Sequence, residues 1–98
     1  MSKQWKAVEL ALCRLFGGER SGPEGKEGCD CKGTAPFGIQ VKHGKQIPKT
    51  IQKFMEQTVR DCPPGQLPTL LMHAYGQSIE ETLVVFRLGD YREWFLNG

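Results

Sequence analysis

No apolar run in this chain approaches the roughly 18 consecutive residues of a membrane span, and no signal-peptide h-region opens it. A soluble, cytoplasmic protein with no membrane partner is therefore expected. The charge balance is thin as well: a net charge of +2 over 98 residues is too small to argue for a nucleic-acid partner by itself. The four cysteines, Cys13, Cys29, Cys31 and Cys62, fall short of a zinc pattern. Cys29-x-Cys31 lacks the usual knuckle spacing, and no second ligand pair follows it. In an intracellular chain disulfides are not expected either. Cys29 and Cys31 read instead as small apolar residues that flank Asp30 on a strand and project opposite to it. Repeats, low-complexity tracts and a second domain are also lacking, so residues 1–98 are expected to form one domain with one modest core.

What is present is a sequence of short elements. Residues 3–17 read as an amphipathic helix, with Trp5, Val8, Leu12, Leu15 and Phe16 on one arc and Lys3, Lys6, Ala7 and Arg14 opposite. Glu9 falls inside the apolar stripe, where a carboxylate must be paired, bound to a metal or placed at the edge. Gly17-Gly18 ends the helix. Residues 18–28, with Pro23 and glycines at 18, 22, 25 and 28 after Gly17, read as a mobile loop. Strands are expected near 29–33 and 37–43, then a helix after Pro48 with Ile51, Phe54, Met55 and Val59 inside, stopped by Pro63-Pro64-Gly65. Two more strands, 69–75 and 82–88, carry apolar runs that suit burial on both faces, with His73 in a structural place. Asp90 and Glu93 match a capping box for a short final helix. This order predicts an α/β fold, a central mixed β-sheet flanked by helices.

The functional signal lies in residues 28–42. From Phe37 to Lys42 the pattern alternates strictly, so Phe37, Ile39 and Val41 face one side while Gly38, Gln40 and Lys42 face the other. Asp30 on the preceding segment and Glu9 on the first helix supply carboxylates. Phosphodiester hydrolysis needs neutralised phosphate charge, an activated water and help for the leaving oxygen, all of which a divalent metal held by carboxylates provides. Asp30 is the natural ligand, with Glu9 joining directly or through water and Gln40 offering a carbonyl oxygen. Lys42 is suited to orient the water or stabilise phosphate charge. Lys42, His43, Lys45, Lys49 and Lys53 fall within a dozen residues that contain no acid, a candidate phosphate-contacting patch. His43 points away from Lys42, so it reads as a packed or surface residue, and Gln57 flanks the second helix's stripe.

Glu9 on the first helix, Gly28-Cys29-Asp30 and a strand ending Gln40-Val41-Lys42 resemble the PD-(D/E)xK nuclease superfamily, and the order of elements agrees. Within it the chain is most similar to the archaeal-type Holliday junction resolvases, which also occur in phages. Gly17-Gly18-Glu19-Arg20-Ser21-Gly22 is similar to their Arg/Ser-containing loop, Ile47-Pro48 with Phe54-Met55-Glu56-Gln57 to the segment after their catalytic strand, and Leu88 to Phe95 to their terminal helix. The resemblance implies a restriction-endonuclease-like αβββαβ core and a Mg2+-dependent endonuclease, with Mn2+ as substitute, acting on branched or duplex DNA. It implies metal binding by Glu9, Asp30 and Gln40, catalysis by Lys42, Ser21 near the scissile phosphate and DNA contacts from Arg20, Lys45, Lys49 and Lys53. It also implies a homodimer, for which residues 83–95 are the candidate interface. Gln40 stands where most members carry an acid. Three other readings follow from the same residues: a nickase or repair endonuclease of this superfamily, a non-catalytic DNA-binding module with a degenerate site, and a zinc-stabilised adaptor using the cysteines.

Overall fold

A computed structural model of the chain describes residues 3–21 and 29–96. They fall into two compact units, Met1–Lys45 and Gln46–Gly98. Most of the expected glycine-rich loop, residues 22–28, lies outside the described residues, as does the side chain of Lys3.

The first unit is built on α1 (Lys3–Leu15). The helix ends where Gly17 takes φ +90° and the Gly18 N–H returns to the Cys13 carbonyl at 2.9 Å, a left-handed exit that glycine makes without a Cβ clash. The apolar arc is half-buried as expected, but its centre is Glu9 at 3% exposure and Cys13 at 0%. These two lie one helical turn apart and so share one face. Packed on that face is an antiparallel pair, β1 (Glu19–Arg20) with β2 (Cys31–Lys32), in which Arg20 stands opposite Cys31. The sequence reading placed residues 18–28 wholly in a loop; β1 corrects it. A bare Glu-Arg dipeptide carries no strand pattern, and only pairing with β2 makes it one.

Segment 37–43 is likewise not a regular strand. The Asp30 N–H donates to the Ile39 carbonyl at 2.8 Å, but the next bond is taken by a side chain: the Val41 N–H donates to Asp30 Oδ2 at 2.7 Å. The carboxylate stands in for a strand carbonyl, so the ladder stops after one step. The alternation survives at its end, with Val41 buried and Gln40 and Lys42 exposed. Phe37 packs edge-on against Phe16 at 5.3 Å. Thr34, buried, donates from Oγ1 to the Phe37 carbonyl at 2.7 Å and closes the connecting turn.

The first unit is also cross-linked. Cys13 and Cys31 form a disulfide with Cα atoms 5.4 Å apart, while Cys29 and Cys62 are free. The expectation of no disulfide is thus corrected. Cys13 sits on the stripe that faces β2, which brings it to Cys31; Cys29, read together with Cys31 as a small apolar residue on a strand, is instead exposed and precedes β2. A loop of this size gives about 3 kcal/mol of stabilisation by restricting the unfolded chain. That matters in a unit this short, which has little core of its own.

The second unit contains α2 (Lys49–Asp61), preceded by Pro48, with Met55 buried and Ile51 and Val59 half-buried. Lys49, Lys53, Glu56 and Arg60 are exposed, as the helical spacing predicted. β3 (Leu70–Met72) and β4 (Leu83–Val85) pair antiparallel, Leu71 opposite Val84. A 3₁₀ turn at Ile79–Glu81 connects them, its Glu81 carboxylate accepting the Ser78 N–H at 3.1 Å. These strands are shorter than expected and are not covered on both faces: Leu71 is 62% and Leu83 63% exposed. His73 is exposed too, its Nε2 2.9 Å from the Gln77 carbonyl oxygen. α3 (Leu88–Tyr91) continues as π-type turns over Arg92–Leu96. Asp90 pairs with Arg87 at 2.8 Å instead of forming the expected box with Glu93, and that bond raises the Arg87 pKa above its ordinary value. Phe86, Tyr91 and Phe95 stack in turn, with centroids 5.4 and 5.1 Å apart.

The chain is therefore mixed α/β. Its described strands form two separate two-stranded antiparallel sheets in place of the central mixed sheet expected. Two-residue strands make too short a ladder to recruit further neighbours. Among the described residues no helix is long and apolar enough to cross a membrane.

Gly18 shows how tightly the first unit is closed. A Cβ there would collide with the Lys32 carbonyl oxygen and meet Thr34 Cγ2 at 2.6 Å, all on the β2 side. Gly18→Ala should cost about 3 kcal/mol, read as a fall in unfolding free energy in urea. Gly44→Ala, where nothing lies within 4 Å, should be close to neutral.

Candidate active site

The architecture of the first unit decides where each candidate residue goes. α1 offers Glu9 and Cys13, and the β1–β2 ribbon offers Arg20 and Cys31 in register with each other. The pairs meet: Arg20 Nε donates to Glu9 Oε1 at 2.6 Å, and Cys13 bonds to Cys31. Glu9 is almost wholly buried and Arg20 about three-quarters so. A carboxylate in an apolar stripe needs a counter-charge, and here a guanidinium supplies it. Glu9 was expected to serve as a metal ligand and Arg20 as a DNA contact; the structure joins their side chains in an ion pair.

Asp30 precedes Cys31 and turns the other way, toward residues 39–41. Its backbone and carboxylate together hold that segment through the Ile39 carbonyl and the Val41 N–H. The carboxylate therefore sits at the backbone between Gln40 and Lys42, both of which are exposed. Ser21 belongs to the same cluster. Its N–H donates to the Asp30 carbonyl at 2.9 Å, and its Oγ donates to the Cys29 carbonyl at 2.8 Å. A backbone hydrogen bond joins Ser21 to Asp30, and Asp30 in turn holds the chain on both sides of Gln40, next to Lys42, through Ile39 and Val41. Lys42 and Lys45 are exposed in the first unit, and Lys49 and Lys53 lie on the exposed face of α2 in the second. None of the four is in an ion pair among the described residues. His43 and Gln57 are also exposed.

Among the described residues no three His, Cys, Asp or Glu side chains group as a metal cluster. The donor set does suit a hard cation held by a single carboxylate. Asp30 Oδ1 takes no hydrogen bond from the described residues, and the Gln40 amide is close along the chain. Magnesium is commonly bound by one or two carboxylates, with water and substrate phosphate filling its other positions.

Sequence reasoning missed two features that hold this site, β1 and the disulfide. The signal for the second was present: Cys13 follows Glu9 by four residues on the same buried stripe, so whatever faced one would face the other. No family model, curated protein or solved structure matches the chain.

The Glu9–Arg20 pair has a measurable consequence. Arg20→Leu leaves a buried carboxylate without its counter-charge and should cost about 3 kcal/mol in urea unfolding. The double variant Glu9→Leu/Arg20→Leu should recover most of that loss.

Proposed function

We propose that this chain is a metal-dependent, structure-selective DNA endonuclease that cuts four-way junctions as a Holliday junction resolvase. The observation that carries the reading is the Asp30 carboxylate held at the Val41 N–H, between Gln40 and Lys42. This is the carboxylate–amide–ammonium trio that phosphodiester hydrolysis calls for. Asp30 and Gln40 would hold the cation. Bound there, Mg2+ or Mn2+ supplies charge neutralisation for the phosphate and acidifies a water. Lys42 places an ammonium beside the phosphate and orients the attacking water. Ser21, fixed through Asp30 and Cys29, offers a hydroxyl at the same edge. Lys45, Lys49 and Lys53 supply backbone-phosphate contacts on exposed surfaces. Glu9 acts here through Arg20, setting the helix against the β1–β2 ribbon that Asp30 immediately precedes.

The proposal includes a restriction-endonuclease-like core, supported by the chain order helix, ribbon, helix, strand pair, helix. It includes a cytoplasmic location and a two-fold dimer through residues 83–95. The dimer is supported by Leu83, Val84, Trp94 and Phe95, each more than half exposed and apolar.

The Glu9–Arg20 bond also favours a second reading, a DNA-binding module that keeps the architecture without catalysis. With the helix acid neutralised and Gln40 in place of an acid, the site holds one carboxylate, Asp30, that has no ion-pair partner among the described residues. Binding would then rest on the lysines, fall steeply with salt and ignore metal.

Incubation with four-way junctions, nicked duplex and plain duplex in magnesium separates these readings. A resolvase cuts the junction in preference to the others, and Asp30→Ala and Lys42→Ala each lower that rate at least about a hundredfold with DNA affinity nearly intact. Gln40→Glu should tighten magnesium binding in calorimetric titration. Absence of both cleavage and magnesium heat would replace the nuclease with the binding module.

A further inference from the structure

We propose that the Cys13–Cys31 bond is a reversible redox modification site that locks and unlocks the Asp30 edge. The bond joins the two elements that have to stay in register for that edge to exist. Cys13 lies one turn beyond Glu9 on α1, and Cys31 immediately follows Asp30 on β2. Both sulfurs are buried, with Cys13 at 0% and Cys31 at 6% exposure.

Little else fastens β2. Its ladder to β1 spans the two pairs Glu19–Lys32 and Arg20–Cys31, and beyond it stand the Ser21–Asp30 and Asp30–Ile39 backbone bonds. On the α1 side the one buried ion pair to the ribbon among the described residues is Glu9–Arg20. With the disulfide open, the buried Glu9–Arg20 pair, the exposed Arg14–Glu19 pair at 3.5 Å and a few half-buried apolar contacts must hold the ribbon on the helix. The Val41 N–H bond to Asp30 then loses its support, because Asp30 moves with β2.

The chemistry balances with a dithiol as reductant. It gives up two electrons and its two thiol protons and forms its own S–S bond, while the Cys13–Cys31 bond breaks and both sulfurs leave as thiols. An oxidised disulfide such as glutathione disulfide reverses the step. Disulfides that form in reducing compartments are characteristically transient and redox-sensing, which fits this bond to the intracellular location proposed above. The second unit holds neither cysteine of the bond, so its own contacts are indifferent to the change. Any consequence for DNA cleavage rests on the nuclease reading; the lock itself does not.

The test uses the full chain and reads no activity. Unfolded in guanidinium without reductant and treated with iodoacetamide, the protein should carry label on Cys29 and Cys62 alone; after dithiothreitol all four cysteines should be labelled. In native amide exchange, the Ser21, Asp30 and Val41 amides should exchange at least tenfold faster after dithiothreitol, and glutathione disulfide should restore them. Amides within α2 should keep their rates. The double variant Cys13→Ser/Cys31→Ser should behave as the reduced protein does in both conditions. Four labelled cysteines without reductant, equal protection in the two redox states, or loss that glutathione disulfide does not reverse would each overturn the lock. Loss of junction cleavage in both redox states, with the exchange response intact, would overturn the nuclease reading alone.

Discussion

On one face of the first helix two buried residues, a carboxylate and a cysteine one turn apart, meet a guanidinium and a cysteine that stand opposite each other on a two-residue ribbon. The Glu9–Arg20 ion pair and the Cys13–Cys31 bond run side by side, and the rest of the first unit hangs from them. Each compensates for what the other lacks. The ion pair is directional but depends on burial, since a buried charge is stable only while its partner stays in place. The covalent bond has no such dependence, but by itself it leaves rotation about the link. Together they fix both the distance and the angle between α1 and β2.

That junction determines where Asp30 can point. Neighbouring residues on a strand face opposite sides, so with Cys31 drawn toward α1, Asp30 is turned to the chain at 39–41. There its carboxylate takes the place of a backbone carbonyl and holds the Val41 N–H. A bond to a charged acceptor is stronger than a neutral ladder bond, and it ends the ladder because no further carbonyl is presented. The short, irregular pairing at 37–43 is therefore a product of the same side chain that makes the site. Gln40 and Lys42 stay exposed because Val41, between them, is the residue held inward.

How much of this was legible in the sequence depended on how local the cause was. The α1 stripe and its glycine exit follow from helical spacing and from glycine's access to positive φ, and they appear as the residues foretell; of the inner face expected for α2, Ile51, Met55 and Val59 turn inward while Phe54 is exposed. The inward Val41 and outward Gln40 and Lys42 follow from alternation. Glu9 announced itself as a buried charge needing a partner, but its spacing carried no information about which cation would supply it. Arg20 came from β1, a dipeptide whose strand character exists only through its partner. Cys31 was legible as buried, while its bond to Cys13 required knowing that α1 lies on β2. The apolar runs located two strands, but these form over Leu70–Met72 and Leu83–Val85 alone and not over the expected 69–75 and 82–88. Their apolar density suggested cover on both faces, yet Leu71 and Val84, paired on one face, remain exposed, because a two-stranded pair offers one face to α2 and has nothing of its own for the other; Leu83, at the end of the pair opposite Met72, is exposed as well.

Both the catalytic reading and the redox lock depend on one hydrogen bond, from the Val41 amide to the Asp30 side chain. Scalar coupling across that bond, between the Val41 amide nitrogen and the Asp30 carboxyl carbon, is observable by NMR in the labelled, oxidised protein. A cross-peak is expected at that pair, lost on Asp30→Ala. A Val41 amide that shows no such coupling and exchanges as freely as an unstructured amide would contradict it.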